Sequence, residues 1–319
     1  MKQYLVLFLS APAVWSLSAH VGDHTTPTEG QITLTAKLRY DSEVKIDKTA
    51  THLVIQSNGI PEHAVGRFPN SGNPNSISPQ NHHLKVPLNP QNTGRFVPKD
   101  GKMGIAVNGV PMEPGTAETW QGDRSWQIEA IVDGKSQLGL DQNNAHVQPT
   151  GAYHYHGIPH GLVQCLRRES GAPADQPLLV GWAADGYSIY YQPDIRPSYR
   201  LKSGSRPNGP GGRYDGTYTA DFEFVSGSGD LDQANGRFAP TPQNPDGEYH
   251  YYVTEGFPFL PRVLKGEADA SFARPRGGGG PGGPGMRRGP GGQRPDGPPP
   301  DGRPPYDRDR PPPPHLQNS

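Results

Sequence analysis

Gly151-Ala152-Tyr153-His154-Tyr155-His156-Gly157 is the stretch on which the reading of this chain turns. In an extended segment side chains alternate between faces, so His154 and His156 project on one side while Tyr153 and Tyr155 project on the other. The segment therefore reads as a strand that offers a pair of imidazoles. His146 lies just upstream and His160 just beyond.

Working outward, the same scaffold occurs twice. Leu140-Asp141-Gln142-Asn143-Asn144-Ala145-His146-Val147-Gln148-Pro149-Thr150 lines up with Leu231-Asp232-Gln233-Ala234-Asn235-Gly236-Arg237-Phe238-Ala239-Pro240-Thr241. After an insertion at 242–246, Gly247-Glu248-Tyr249-His250-Tyr251-Tyr252 lines up with Gly151 to His156. Self-similarity of this kind predicts two copies of one supersecondary unit. Arg237 stands where the first copy has His146, and Tyr252 where it has His156, so the second copy keeps one imidazole, His250. The expected chemistry is asymmetric, with most ligands in the first copy and His250 contributed across a pseudo-twofold axis.

The remainder of the domain has the period of strands. Ile32, Leu34, Ala36, Leu38 and Tyr40 alternate with polar residues. Residues 51–57 give a strand ending at Asn58-Gly59, and 104–107 one ending at Asn108-Gly109, both strong turn dipeptides. Residues 178–182 and 187–191 flank Asp185-Gly186 as a hairpin, and Tyr218, Ala220, Phe222 and Phe224 share one strand face after Asp215-Gly216. Helical periodicity is hard to find. The stretch 61–98, dense in Pro, Asn and Gly, reads as a long ordered loop on the sheets. The fold class is mainly β, a sandwich or barrel-like domain with long Pro/Gly/Asn-rich loops and an internal pseudo-repeat.

Composition bounds the rest. The 319 residues include 42 Gly and 38 Pro, with 32% hydrophobic residues, so part of the chain lacks the apolar content for a packed core. Lys2, the apolar run 4–9, residues 11–17 and the small residues Ser16, Ser18 and Ala19 read as a secretory signal over 1–19, cleaved after Ser18 or after Ala19. Pro12 interrupts the apolar run, which is too short to span a bilayer. An exported domain over 20–272, periplasmic or extracellular, then precedes a Pro/Gly/Arg-rich tail over 273–319 that reads as disordered. A net charge of -1 leaves no electrostatic footprint for nucleic acid. The single cysteine, Cys165, excludes an intrachain disulfide.

These residues resemble the YHYH-domain family, a group of mostly secreted bacterial proteins. The resemblance spans about 51–266 and includes Ser57-Asn58-Gly59-Ile60-Pro61-Glu62-His63, Gly72-Asn73-Pro74-Asn75, Ala106-Val107-Asn108-Gly109-Val110-Pro111, Gly181-Trp182-Ala183-Ala184-Asp185-Gly186 and Phe257-Pro258-Phe259-Leu260-Pro261-Arg262. It implies a domain type and a secreted location, and supplies no biochemical activity. Family members carry cysteines at the position of Ala234 and near Val263; their absence here argues against a thiol-based role.

Neutral imidazole is the commonest protein ligand for Zn and Cu, so His146, His154, His156 and His250 form the expected metal set, with His63, His160 and Asp232 as weaker candidates. Asp141 and Asp185 are candidates for a general base or for carboxylates that orient a ring. His82-His83 and His315 read as solvent-exposed, and Cys165 as a small buried hydrophobe. The expected partner is a metal ion or a small molecule, with no nucleotide or organic cofactor indicated. The alternatives are a metal-dependent hydrolase or oxidase, and an adhesion or structural module in which the rings are only packed.

Overall fold

A computed structural model describes residues 38–132 and 134–273. The residues 1–19 that read as a signal sequence, residues 32–37 of the strand read at 32–40, the tail from Arg274 and His315 lie outside the described residues. Leu38 to Tyr40 belong to no strand, although Leu38 packs on the core.

In chain order the strands are β1 (Val44–Lys48), β2 (His52–Ser57), β3 (His82–Pro87), β4 (Val97–Pro98), β5 (Gly104–Ala106), β6 (Pro111–Met112), β7 (Thr119–Trp120), β8 (Asp123–Gln127), β9 (Ile131–Val132), β10 (Lys135–Ser136), β11 (Ala145–Val147) and β12 (Tyr153–Tyr155). The helix α1 (His160–Ser170) follows, then β13 (Leu178–Ala183), β14 (Ser188–Tyr191), β15 (Tyr199–Leu201), β16 (Phe222–Phe224), β17 (Gly236–Ala239), β18 (Glu248–Val253) and β19 (Val263–Leu264). Strands β1-β2-β3 form an antiparallel sheet, and eight strands form a second sheet in the order β11-β12-β6-β5-β13-β14-β18-β17. Ile55, Leu84 and Val86 from the first sheet share one core with Ile105, Tyr155, Ile189 and Tyr251 from the second. The architecture is thus an open sandwich; the larger sheet ends at β11 and β17 and does not close into a barrel.

The strand order of the large sheet reads as two mirrored halves. In each, a tight hairpin (β5-β6, β13-β14) pairs its outer strand in parallel with the inner strand of a second hairpin (β11-β12, β17-β18). The halves meet where β5 pairs antiparallel with β13, as Gly104↔Ala183, Ile105↔Trp182 and Ala106↔Gly181. Because Ala106-Val107-Asn108-Gly109 corresponds to Ala183-Ala184-Asp185-Gly186, each residue in this pairing meets a counterpart, and Ile105 meets its own. The flanking hydrogen bonds match too, Val107 N to Val180 O at 3.0 Å and Ala184 N to Met103 O at 2.9 Å. A pseudo-twofold axis therefore passes between Ile105 and Trp182. A Cβ on Gly104 would meet the Trp182 carbonyl oxygen at 2.5 Å, and one on Gly181 the Ile105 carbonyl oxygen at 2.5 Å, which is why glycine stands at both positions. The repeat read from the second hairpins thus extends to the first hairpins as well.

Three expectations are corrected. The loop at 61–98 contains β3, whose side chains alternate in and out from His82 to Val86; His82 is buried and only His83 faces solvent. The strand expected from Tyr218 begins at Phe222, because Thr219–Asp221 forms a 3-10 turn around the Asp221 carboxylate, which accepts from the N–H groups of Gly216 and Tyr218. Helix α1 was not expected. It starts after Pro159 without a side-chain cap and ends at Gly171 in the left-handed region, where the Gly171 N–H bonds the Arg167 carbonyl. Leu162 is its buried contact with the core, while Cys165 is half-buried.

Candidate metal centre

Strands β11 and β12 pair antiparallel with His146 directly opposite His154. His156 follows one step beyond β12, and its N–H bonds the Asn144 carbonyl at 2.7 Å, continuing the hairpin. Asn144 sits at a φ of 51°, a left-handed conformation that asparagine tolerates. Alternation along β12 then delivers what the motif implied. Tyr153 and Tyr155 turn into the sandwich core, and His154 and His156 turn to the other face, where His146 joins them.

The three rings converge through their Nε2 atoms. His156 Nε2 lies 3.0 Å from His154 Nε2 and 3.1 Å from His146 Nε2. A ring nitrogen from each lies within 4.8 Å of the others. The opposite ring nitrogens are already committed, His146 Nδ1 to the Leu138 carbonyl at 3.0 Å and His154 Nδ1 to the Ala152 carbonyl at 3.3 Å. A carbonyl only accepts, so both Nδ1 atoms carry the proton and both Nε2 atoms present lone pairs. His156 has at most one proton at Nε2 in its neutral form. It satisfies one neighbour at a time, and its Nδ1 has no partner in hydrogen-bond geometry although the Pro114 carbonyl acts on the ring.

Protonation of His154 or His156 does not relieve the crowding. Burial holds His154 down to about 3, with the nearby His146 adding to the effect, and burial followed by the His154 and His146 rings holds His156 well below the ordinary histidine value. At neutral pH His154 and His156 are uncharged imidazoles, the state a metal ligand requires. With metal–nitrogen bonds of about 2.0–2.1 Å, tetrahedral ligand nitrogens stand about 3.3 Å apart, close to the two separations from His156 to its neighbours. His154 and His156 are buried and His146 is half-buried, which places the approach to the site on the His146 side.

The other candidates lie elsewhere. His250 does not join the cluster. It sits on β18, five strands from β12 in the sheet, which at about 4.8 Å per strand is on the order of 24 Å away. Its Nε2 instead faces the Tyr252 hydroxyl at 2.6 Å. His63 is on the tyrosine side of β12, with Nε2 2.6 Å from the Tyr155 hydroxyl, and His160 opens α1 half-buried. Asp141 accepts from the Tyr153 hydroxyl at 2.7 Å and from the Gly66 N–H at 3.0 Å, and Asp232 accepts from Tyr249 at 2.9 Å. Asp185 accepts from Tyr251 at 2.6 Å and from the Gly266 N–H at 2.9 Å. These aspartates anchor the inward-facing tyrosines of the two halves, so the carboxylates lie on the tyrosine face, away from the imidazoles. The carbonyls of Leu138 and Ala152, which set the ring tautomers, carry no side-chain signal and were not legible in the sequence.

Outside the cluster, His82 and His250 also have depressed values. Burial lowers both to about 4; Lys102 adds to the effect at His82, and Arg237 at His250, where the Glu248 carbonyl opposes it. Each prefers to bind its proton in the unfolded chain, so both contribute stability above pH 6.5 that declines as pH falls toward 4. His82→Gln is therefore expected to flatten the pH dependence of metal-free unfolding between pH 6.5 and 4.5 by up to about 1.4 kcal/mol per pH unit. Urea midpoints read across that window check this, and an unchanged slope contradicts it.

Fold and site together define a class, a β-sandwich of two related halves in which one half carries a buried three-histidine cluster. The family model described as YHYH protein matches residues 83–266, more than half of the 319 residues, and takes in both halves and the cluster. The chain belongs to the YHYH family. No curated protein and no solved structure matches it. Among the described residues no helix is long and apolar enough to cross a membrane.

Proposed function

We propose that this protein is an exported binder of a transition metal, Cu or Zn, held by His146, His154 and His156. The observation that carries the reading is that His156 Nε2 lies 3.0 Å from His154 Nε2 and 3.1 Å from His146 Nε2, with the ring nitrogens of all three within 4.8 Å of one another, while two of the three Nδ1 atoms are tied to carbonyls. An all-imidazole set suits Cu and Zn over Mg or Ca, which prefer oxygen. Export rests on the signal-like pattern of residues 1–19.

Binding is favoured over turnover because Asp141 and Asp185, the candidate bases, are engaged by tyrosine hydroxyls on the other face of the sheet. Protein recovered from the exported fraction without added metal is expected to contain about one equivalent of Cu or Zn by elemental analysis. Its mass is expected to place the mature N-terminus at Ala19 or His20. Stripping with a chelator is expected to lower the melting temperature, since an ion at 1,000 times its Kd stabilises the folded state by about 4 kcal/mol. Protein that carries no metal and whose melting is unaffected by Cu or Zn refutes the reading.

A further inference from the structure

The second half of the sheet repeats the backbone of the histidine cluster with one of its three imidazoles, His250, and with Arg237 and Tyr252 at the other two positions. The scaffolds correspond bond for bond. Arg237 pairs across the strands with His250 as His146 does with His154, and the Tyr252 N–H bonds the Asn235 carbonyl at 2.9 Å as the His156 N–H bonds that of Asn144. Asn235 has a φ of 59° against 51° for Asn144. His250 Nδ1 faces the Glu248 carbonyl at 3.0 Å, as His154 Nδ1 faces that of Ala152. His250 therefore presents an Nε2 lone pair to the same place that His154 does.

What meets that lone pair differs. The Tyr252 hydroxyl lies 2.6 Å from His250 Nε2 and donates to it, while its oxygen accepts from Arg237 Nε at 3.2 Å. The guanidinium also lies over the Tyr252 ring, 5.3 Å from its centre. Donor and acceptor alternate along Arg237, Tyr252 and His250, so every group at the heart of this arrangement is satisfied without an ion. In the first half the corresponding nitrogen, His154 Nε2, instead meets the His156 ring, which in turn meets His146. The two halves thus solve one local problem in two ways on one backbone.

We propose that the second half is a plugged counterpart of the histidine site, in which the Tyr252 hydroxyl occupies the position of the metal, and that exchanging two side chains interconverts the two sites. The inference rests on the metal reading of the first half. It implies that the native chain binds one ion and not two, and that metal braces β11-β12 while β17-β18 hold without it.

The test is a reciprocal exchange read by equilibrium dialysis against Zn²⁺ with elemental analysis, and by hydrogen exchange. Arg237→His with Tyr252→His is expected to raise binding by one equivalent, from about one to about two. The same pair placed on His154→Ala with His156→Ala is expected to restore about one equivalent to a chain that otherwise binds none. In the opposite direction, His146→Arg with His156→Tyr is expected to abolish Zn²⁺ binding while keeping the β11-β12 amides protected in the presence of chelator. In the wild-type chain, chelation is expected to speed exchange of β11-β12 and leave β17-β18 unchanged.

A folded Arg237→His, Tyr252→His protein that binds no additional Zn²⁺ overturns the proposal. If that variant fails to fold, the reverse exchange decides, and loss of β11-β12 protection in His146→Arg, His156→Tyr overturns it equally. Wild-type stoichiometry reports on the first site alone, while the difference between variant and wild type reports on the second. Failure of either reading is therefore distinguishable from failure of the other.

Discussion

Alanine at both His154 and His156 is expected to reduce bound metal to background and to remove the difference in melting temperature between metal-loaded and chelated protein. Two of the three converging Nε2 atoms disappear, and the remaining imidazole, His146, is the half-buried one. A single ring cannot replace the hydration shell of a divalent ion in a site whose candidate carboxylates are bonded to tyrosines on the opposite face. The metal-dependent difference in melting is the appropriate readout, because the absolute stability of the variant mixes opposing effects. Deleting two buried rings leaves cavities, which cost about 2–5 kcal/mol for a large side chain. Deleting them also removes crowded lone pairs that the metal-free protein tolerates at some cost. His250→Ala provides the contrast, since it loses the bond to Tyr252 but is expected to keep the full metal content. A double variant that retains wild-type metal contradicts the assignment of these ligands. Loss of metal in His250→Ala at unchanged folding contradicts the separation of the two halves.

How much of this was legible follows from what each signal encodes. Asn108-Gly109 and Asp185-Gly186 close hairpins because their glycines need positive φ, at 76° and 98°, and such a requirement is written in the residue type. The alternation of Tyr and His over 153–156 likewise fixes which rings share a face. The repeat over 140–156 and 231–252 is visible in the sequence, whereas that of the first hairpins is not. Their strands are only two to six residues long, and the shared pattern reduces to Ala-x-Asn/Asp-Gly.

The misplacement of His250 has a geometric cause. Alignment shows which residues are equivalent, whereas an axis decides whether equivalents meet. Here the axis passes between Ile105 and Trp182, so Ile105 meets its counterpart while residues on β12 and β18 are carried to opposite ends of the sheet. A different axis position would have brought His154 and His250 together with no change in the local sequence. Helix α1 was missed for a simpler reason. It is the one α-helix among the described residues, 11 residues long, and it opens after an uncapped Pro159, so the usual N-terminal signal is missing.

The largest loss of stability outside the site is expected from Arg206→Ala. The Arg206 side chain is 4% exposed and its Nη2 lies 2.5 Å from Asp221 Oδ2, while Asp221 is fully buried. Arg206 Nε bonds Asp221 Oδ1 at 2.8 Å, so the pair is bidentate, and Nη2 also reaches the more exposed Asp215. Removing the guanidinium strands the Asp221 carboxylate with only the N–H groups of Gly216 and Tyr218 as partners. Breaking a buried pair from one side costs about 3–5 kcal/mol, because the remaining charge keeps its desolvation penalty and loses its compensation. Changing both partners tests that cause. Arg206→Met with Asp221→Leu removes both charges and is expected to be markedly more stable than Arg206→Ala, since apolar replacement of a buried pair is often neutral. At the surface, Arg200→Ala is expected to cost no more than about 1 kcal/mol, because Arg200 and Glu223 are solvent-exposed and their attraction is screened. Urea unfolding of the four proteins in the presence of chelator measures all of this apart from the metal. If Arg206→Ala costs no more than Arg200→Ala, the buried carboxylate has found solvent or a proton, and the ion pair does not hold the 202–221 segment in place.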